Sequence, residues 1–210
     1  MKKLKLSQAE IDKLVVVERR AVEPSVLGVG VVDVCFQISI KRRVVWQYEV
    51  WHGILRRSCC AKKKQQCQTY KDVTVCDEWL SFASFLGWCN KEVAYRGKPE
   101  GMSLDKDILF NGNKIYSPDT CSFVPQIINT VVISGDSGFT LHKPSGKYTA
   151  NYRCNGKYSY IGLYATQEEA TQAYKIAKES HVKSMALQYK DVLRPDVFDA
   201  LMVWQVDIFS

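Results

Sequence analysis

The residues with the clearest chemical use alternate along one short stretch of the sequence, positions 147–154. Successive side chains of a strand point to opposite sides, so one face of a strand here carries Lys147, Thr149, Asn151 and Arg153. Arginine can donate two hydrogen bonds to a guanine, and asparagine can pair in the same way with an adenine. This face is therefore predicted to read base edges in a DNA major groove. The alternative is an ordinary solvated face of a small sheet.

Three strands and a helix are predicted to position these residues. The strands are expected at about Phe139–Lys143, Lys147–Cys154 and Tyr158–Tyr164. A capping-box pattern at Thr166 opens a helix to about Val182, whose stripe of small residues lets it lie close to the apolar face of the sheet. Extending the strand registers adds flanking residues to the polar face: Thr140, His142, Lys143, Tyr158 and Tyr160.

The same segment, about Gly138 to Lys183, resembles a known DNA-binding domain. Its motifs are Gly138-Phe139, Gly146-Lys147-Tyr148-x-Ala150, Tyr160-Ile161-Gly162-Leu163-Tyr164 and Thr166-x-Glu168-Glu169-Ala170-x-x-Ala173-Tyr174. They look like the DNA-binding domain of plant APETALA and ethylene-response factors, which also occurs in many phage and bacterial endonucleases. The resemblance implies a three-stranded sheet that enters the major groove of double-stranded DNA. The family uses arginines and tryptophans there, whereas the first strand of this chain has Thr140 and His142.

Positive charge is concentrated in a second region. The chain has 29 Lys and Arg against 22 Asp and Glu, a net charge of +7. Between positions 41 and 70 the only acidic residue is Glu49, and the cations are Lys41, Arg42, Arg43, Arg56, Arg57, Lys62, Lys63 and Lys64. Such a cluster suits a polyanion, because each neutralised phosphate releases condensed counterions. We expect Arg56, Arg57 and Lys62 to Lys64 to grip the DNA backbone. The alternative is a solvated basic surface.

Periodicity and turn signals predict the remaining elements. Helices are expected at Ser7 to about Arg20, Trp46–Cys60, Asp77–Trp88 and Val197–Trp204. A strand is expected at Cys35–Ile40, and a polar basic loop at Ala61–Gln68. Leu104–Tyr116 reads as a β-hairpin, because Asn111-Gly112 is a strong two-residue turn signal.

A second resemblance covers about Trp46 to Asn129. Its first motifs are Trp51-x-x-Ile54-Leu55-x-Arg57, Tyr70-x-x-Val73-x-Val75-Cys76-x-Glu78-Trp79 and Phe82-x-x-Phe85. They are followed by Leu104-Asp105-Lys106-Asp107-Ile108-Leu109-Phe110-Asn111-Gly112-Asn113-Lys114-Ile115-Tyr116-Ser117-Pro118 and by Phe123-Val124-Pro125-x-x-x-Asn129. These look like the nuclease core of phage HNH-type homing endonucleases and the region preceding it. With the sheet module following, the order is similar to a phage-encoded endonuclease of this two-part class.

The second resemblance implies a site for phosphodiester cleavage. In that family a histidine acts as general base, and a divalent metal is held by a second histidine or an aspartate and by a downstream Asn or His. By this correspondence the ligands of Mg²⁺ or Mn²⁺ are Asp105, Asp107 and Asn129, and the catalytic residues are Asp105, Lys106 and Asn129. Lys106 stands where the family has its base. Because a lysine is protonated at neutral pH, we expect it to clamp the scissile phosphate.

Eight cysteines raise the alternative of a zinc-stabilised protein-binding module built on Cys59, Cys60, Cys67 and Cys76. No Cys-x-x-Cys occurs and no histidine has ligand spacing from a cysteine pair, so we expect free thiols and no structural zinc. The chain has no apolar run long enough for a membrane span. These features predict the cytoplasm, that of the host cell for a phage-encoded protein. The sequence leaves protein partners open and predicts a monomer or weak dimer.

The predicted fold is α+β, with a degenerate ββα-metal (HNH-like) core followed by a three-stranded antiparallel sheet packed on one helix. The expected divisions are an N-terminal helix and extended arm (1–45), the HNH-like core (46–133), the APETALA-type domain (138–186) and a C-terminal helical tail (187–210). The predicted function is double-stranded DNA binding with metal-dependent cleavage, as nicking, at sites that the sheet selects. The alternative is a catalytically inactive DNA-binding regulator or accessory factor on a decayed nuclease scaffold.

Overall fold

A computed structural model describes residues 23–40, 43–94, 101–133, 138–154 and 157–206. The chain forms two compact units. The first comprises residues 1–98 and 113–121, and the second comprises residues 99–112 and 122–210. The predicted helix from Ser7 to Arg20 lies outside the described residues.

Helices and strands are mixed along the chain, as predicted for an α+β protein. The strands are β1 (Ser39–Ile40), β2 (Arg43–Val44), β3 (Thr74–Val75), β4 (Met102–Asp105), β5 (Ile115–Tyr116), β6 (Ser122–Pro125), β7 (Phe139–His142), β8 (Lys147–Cys154) and β9 (Lys157–Tyr164). The α-helices are α1 (Trp46–Cys59), α2 (Ala61–Gln66), α3 (Phe82–Ala94), α4 (Gln126–Ile133), α5 (Gln167–Gln188) and α6 (Pro195–Met202). Short 3-10 helices lie at Gln68–Tyr70, Asp77–Leu80 and Lys190–Val192.

Aromatic packing between α1 and α3 forms the core of the first unit. Trp51 and Phe82 are fully buried, and their ring centroids lie 5.2 Å apart. The buried Trp51 indole donates a hydrogen bond of 2.7 Å to the backbone oxygen of Trp79, which satisfies a polar group that would be costly to bury alone. Asp33 fixes the start of α3, since its carboxylate accepts from the Ala83 N–H at 2.8 Å and from the Ser81 hydroxyl at 2.6 Å.

Three predicted elements of the first unit differ from the structure. The predicted loop at Ala61–Gln68 is largely helical, because its lysines and glutamines are good helix formers. The predicted helix Asp77–Trp88 is interrupted at Ser81, which is extended and bridges to Val31. Of the predicted strand Cys35–Ile40, only the last two residues form β1, which pairs antiparallel with β2.

The predicted hairpin Leu104–Tyr116 is wrong. β4 pairs antiparallel with β6, with Asp105 opposite Ser122, while β5 pairs parallel with β3 in the first unit. A turn does form at Asn111-Gly112, where Gly112 has a φ of +74°. The chain between residues 113 and 121 belongs to the first unit, so β5 meets a different partner from the one that the local turn signal implies.

One continuous hydrophobic core joins the helices of the second unit. β4 and β6 form an antiparallel pair, and α4, which directly follows β6, packs on both strands. Buried residues from α4, α5 and α6 meet there, and the cluster contains Val124, Ile128, Val131, Val182, Met185, Ala186, Val197 and Leu201. The predicted last amphipathic segment therefore packs internally, as α6.

The three-stranded antiparallel sheet predicted from the sequence is present, in the order β7-β8-β9. The capping box also forms, because the Thr166 hydroxyl accepts from the Glu169 N–H and the Glu169 carboxylate accepts from the Thr166 N–H. α5 packs against all three strands, with Ala170 and Tyr174 fully buried on its inner side. It runs to Gln188, six residues beyond the predicted end at Val182.

The close approach of Gly138 to Tyr174 generates a stability prediction. Gly138 has a φ of +79°, and a Cβ there would lie 2.5 Å from the Tyr174 ring. Gly138→Ala is expected to lower the free energy of unfolding by at least about 2 kcal/mol, from backbone strain plus overpacking. Gly146 has a φ of +66° but open space around it, so Gly146→Ala should cost only the strain, about 1 kcal/mol. Urea unfolding of both variants measures the difference, and equal losses would contradict the close packing.

Candidate nucleic-acid interface

The open face of the sheet is the surface opposite α5. Residues opposite one another in an antiparallel pair lie on the same face, which lets the strand registers define its members. On β7 and β8, Thr140 is opposite Thr149, and His142 is opposite Lys147. On β8 and β9, Asn151 is opposite Tyr160, and Arg153 is opposite Tyr158. The structure thus brings together on one face Thr140, His142, Lys147, Thr149, Asn151, Arg153, Tyr158 and Tyr160.

Burial separates the two faces of the sheet as the alternation of β8 predicts. Ala150 is fully buried beneath α5, whereas Tyr158 and Tyr160 are 69% and 67% exposed. Arg153, Lys147 and His142 are also exposed, and Thr149 and Asn151 are half-buried. The polar face is therefore accessible, and its central strand carries the hydrogen-bonding side chains. Lys143 is exposed in the turn that follows β7.

A β-bulge in β9 adds a residue that the sequence alternation misses. The register with β8 shifts so that Gly162 is opposite Ala150 while Tyr160 is opposite Asn151, which leaves Ile161 as the extra residue. Beyond the bulge, Leu163 is opposite Thr149 and therefore lies on the open face, where it is 40% exposed. A glycine inside a strand is a known signal for a bulge, so Gly162 is the feature of the sequence that points to this change.

The charged side chains of the open face are all basic. The cations of this face are Lys147, Arg153 and, in the adjoining turn, Lys143, and the segment 138–164 has no acidic residue. The Arg153 guanidinium lies 5.5 Å from the Tyr158 ring centroid, a cation–π contact that restricts the arginine before any ligand arrives. His142 Nδ1 and the Ser145 hydroxyl are 2.7 Å apart. The face thus combines positive charge, amide and hydroxyl groups and exposed rings.

The basic cluster in the first unit is partly committed to internal contacts. Arg57 donates from Nε to the Tyr116 hydroxyl at 2.8 Å and lies over that ring at 5.2 Å. Burial raises the pKa of Tyr116 to about 12, against the opposing effect of Arg57. Lys63 lies over the Tyr70 ring at 5.7 Å. Arg56 and Lys62 are exposed and Lys64 is half-buried, so these three are better placed than Arg57 to meet phosphates. Lys41 and Arg42 lie outside the described residues.

Asp105 holds a turn at the end of β4. Its Oδ1 accepts hydrogen bonds from the Asp107 N–H at 2.8 Å and from the Ile108 N–H at 2.7 Å. The residue is 5% exposed, and burial raises the pKa of its carboxyl, although the two N–H groups and the Lys106 ammonium oppose the shift. Asp105, which the HNH resemblance assigns to a metal, therefore already uses one carboxylate oxygen to accept hydrogen bonds from the backbone.

Two of the three expected metal ligands already make contacts within the chain. The Lys106 ammonium pairs with the Asp107 carboxylate at 2.5 Å, and this pairing competes with any other cation at Asp107. Asn129, on α4, does offer a buried Oδ1 without a hydrogen-bond partner, and a hard cation prefers such oxygen ligands. The part of the chain that the structure describes holds no group of three or more His, Cys, Asp and Glu able to bind a metal, a set of residue types that does not include Asn129.

The four cysteines of the zinc alternative lie in the first unit. Cys59, Cys60, Cys67 and Cys76 are all half-buried and free, and Cys67 Sγ lies 3.1 Å from the Thr69 hydroxyl. Burial raises the pKa of the Cys59 and Cys76 thiols.

Within residues 23–40, 43–94, 101–133, 138–154 and 157–206, no helix is both long and apolar enough to cross a membrane.

No family model matches this chain, and neither a curated protein nor a solved structure matches it.

The hydrogen bonds of Asp105 generate a second stability prediction. Asp105→Ala is expected to lower the free energy of unfolding by about 1–3 kcal/mol, because two backbone N–H groups lose their acceptor. Asp105→Asn keeps an oxygen acceptor and removes a buried charge, so its loss should be below about 1 kcal/mol. Urea unfolding at neutral pH in EDTA measures both variants. Equal losses would show that the carboxylate charge, rather than the turn, accounts for the effect.

Proposed function

We propose that this protein binds double-stranded DNA by placing the open face of its β7-β8-β9 sheet in the major groove. The observation that carries the proposal is a single accessible face with basic, amide and aromatic side chains and no acidic residue. α5 backs the sheet along all three strands, so the side chains project from a rigid element. A rigid platform suits base reading, because direct readout depends on the position of each donor and acceptor.

The side chains of the central strand have complementary roles in this proposal. Arg153 donates to guanine O6 and N7, in the orientation that Tyr158 favours. Asn151 pairs with an adenine, one row of the sheet away. Lys147, Lys143 and His142 lie toward the β7–β8 turn and meet phosphates, which position a protein but carry no sequence information. The resemblance to the APETALA-type domain supports the same assignment.

Duplex DNA is favoured over a single strand by the arrangement of the rings. Tyr158 and Tyr160 both lie on the edge strand β9, while the hydrogen-bonding residues occupy the central strand β8. Base edges are exposed in the floor of the major groove, where the central strand would lie. A single strand binds instead by stacking its bases on aromatic side chains. Because the two tyrosines flank the hydrogen-bonding residues, they are better placed to contact the walls of the groove than to stack on the bases of a single strand.

Phosphodiester cleavage is not part of the proposed function. The order β4, β6 and α4, with Asp105 at the end of the first strand and Asn129 in the helix, is the order that the HNH resemblance implies. Yet Asp105 caps a turn and Asp107 pairs with Lys106. These contacts favour the alternative of a DNA-binding protein that does not cut, and the metal-dependent nuclease remains a prediction for experiment.

Arg153 provides the test of DNA binding. Arg153→Ala is expected to weaken duplex binding by about 1–3 kcal/mol and to relax the preference at one base position. Arg153→Lys keeps the charge but loses the bidentate fork, so it should keep the salt dependence and lose the preference. Fluorescence anisotropy with a duplex library of randomised sequence and with its single strands, at several salt concentrations, measures these effects.

Lys190→Ala is the matched control, because it removes one positive charge from an exposed residue outside the sheet. It should leave both affinity and preference nearly unchanged. Unchanged binding by Arg153→Ala would overturn the proposal. Tighter binding of single strands than of duplexes would instead assign Tyr158 and Tyr160 to base stacking.

A plasmid assay separates binding from cutting. Supercoiled plasmid DNA incubated with the protein in Mg²⁺, Mn²⁺ or EDTA is expected to shift in a gel in every buffer and to remain uncut, because Oδ1 of Asp105 accepts from two backbone N–H groups and Oδ1 of Asp107 pairs with the Lys106 ammonium. The Asp105→Ala/Asp107→Ala double variant is run beside it. Metal-dependent nicking that the double variant loses would contradict this expectation and would establish the nuclease.

A further inference from the structure

A row of methyl-bearing side chains crosses the open face of the sheet. Thr140 on β7 is opposite Thr149 on β8, and Thr149 is opposite Leu163 on β9. One such side chain from each of the three strands therefore forms a continuous line, here called the methyl row. Thr140 is exposed, Thr149 is half-buried, and Leu163 is 40% exposed. The row is accessible over its whole width.

Polar residues lie on both sides of the methyl row. Toward the β7–β8 turn lies the pair His142 and Lys147, and on the other side lies the pair Asn151 and Tyr160. The methyl row is thus an apolar strip between a cationic row and an amide-bearing row. Leu163 is placed in the strip by the bulge at Ile161, since regular alternation from Tyr160 would direct it toward α5.

The chemistry of the major groove offers one apolar partner for such a strip. The edges of guanine, cytosine and adenine present hydrogen-bond donors and acceptors there, whereas thymine also presents its C5-methyl group. Threonine methyl groups and other apolar side chains contact that group. From this match we infer that the methyl row contacts thymine methyl groups, and that the bound duplex carries A·T pairs at its centre. The inference rests on the proposed function and deepens it.

The spacing of residues along β8 predicts the order of the bases in the DNA target. Alternate residues of β8 are about 6.8 Å apart, two strand residues, which corresponds to about two base-pair steps of a duplex. The bases facing Thr149, Asn151 and Arg153 therefore follow one another within a few base pairs. The expected target has thymine at the methyl row, adenine at Asn151 and guanine toward Arg153.

Replacing thymine with uracil tests the inference, because uracil has the same hydrogen-bonding edge but lacks the methyl group. The probe is a duplex library with a randomised centre, amplified with either dTTP or dUTP, and binding is measured by competition in a gel shift. The wild type is expected to prefer the thymine library, by about fourfold for each buried methyl group. Leu163→Ala should reduce that preference, whereas Thr149→Val, which keeps the threonine methyl group and replaces the hydroxyl with a second methyl group, should retain it.

Leu187→Ala is the control, because Leu187 is 57% exposed on α5, away from the open face. It should keep both the affinity and the thymine preference. Equal binding of the two libraries by the wild type would contradict the contact between the methyl row and thymine, and it would leave the proposed DNA binding intact. A preference that is undiminished in Leu163→Ala would also overturn it. Binding to neither library would instead remove the proposed function, and the inference with it.

Discussion

The packing of α5 against the inner face of the β7-β8-β9 sheet is the contact on which the second unit depends. Ala170 and Tyr174 are fully buried beneath the strands, and Gly138 leaves no room for a side chain beside the Tyr174 ring. Small residues permit this close approach. Because one face is closed in this way, the polar and cationic residues of β8 all project from the other. The asymmetry of the sheet is thus a consequence of how tightly its helix packs.

The same helix also connects the sheet with the rest of its unit. Beyond the strands, α5 continues through Val182, Met185 and Ala186 into a core that it shares with α4 and α6. Near its middle, the buried Lys178 ammonium lies 3.2 Å from the Tyr174 hydroxyl and 5.6 Å from the Trp204 ring centroid. The proposed DNA-binding surface would gain from such support, because side chains on a rigid element keep their positions when a ligand binds.

In the turn after β4, a few local contacts affect whether the carboxylates stabilise the fold or bind a cation. A carboxylate that accepts two backbone N–H groups stabilises a turn, and a carboxylate beside an ammonium has lost much of its attraction for another cation. Both conditions occur within Asp105, Lys106 and Asp107. In this turn, side chains that were expected to hold a metal stabilise the backbone or pair with a neighbouring cation. Asn129, with its unpartnered buried oxygen, is the exception in this group.

The sequence by itself determined the elements whose signals are local. The strands of the sheet, the capping box at Thr166, α1 and the division of β8 into two faces follow from alternation, periodicity and capping, which depend on neighbouring residues. Tertiary structure alone decided which strands pair and where the alternation breaks. Asn111-Gly112 predicts a turn but not that β4 pairs with β6, because strand pairing depends on distant segments. Gly162 signals the bulge, but only the pairing of β8 with β9 shows that the bulge brings Leu163 to the open face, because register depends on the partner strand.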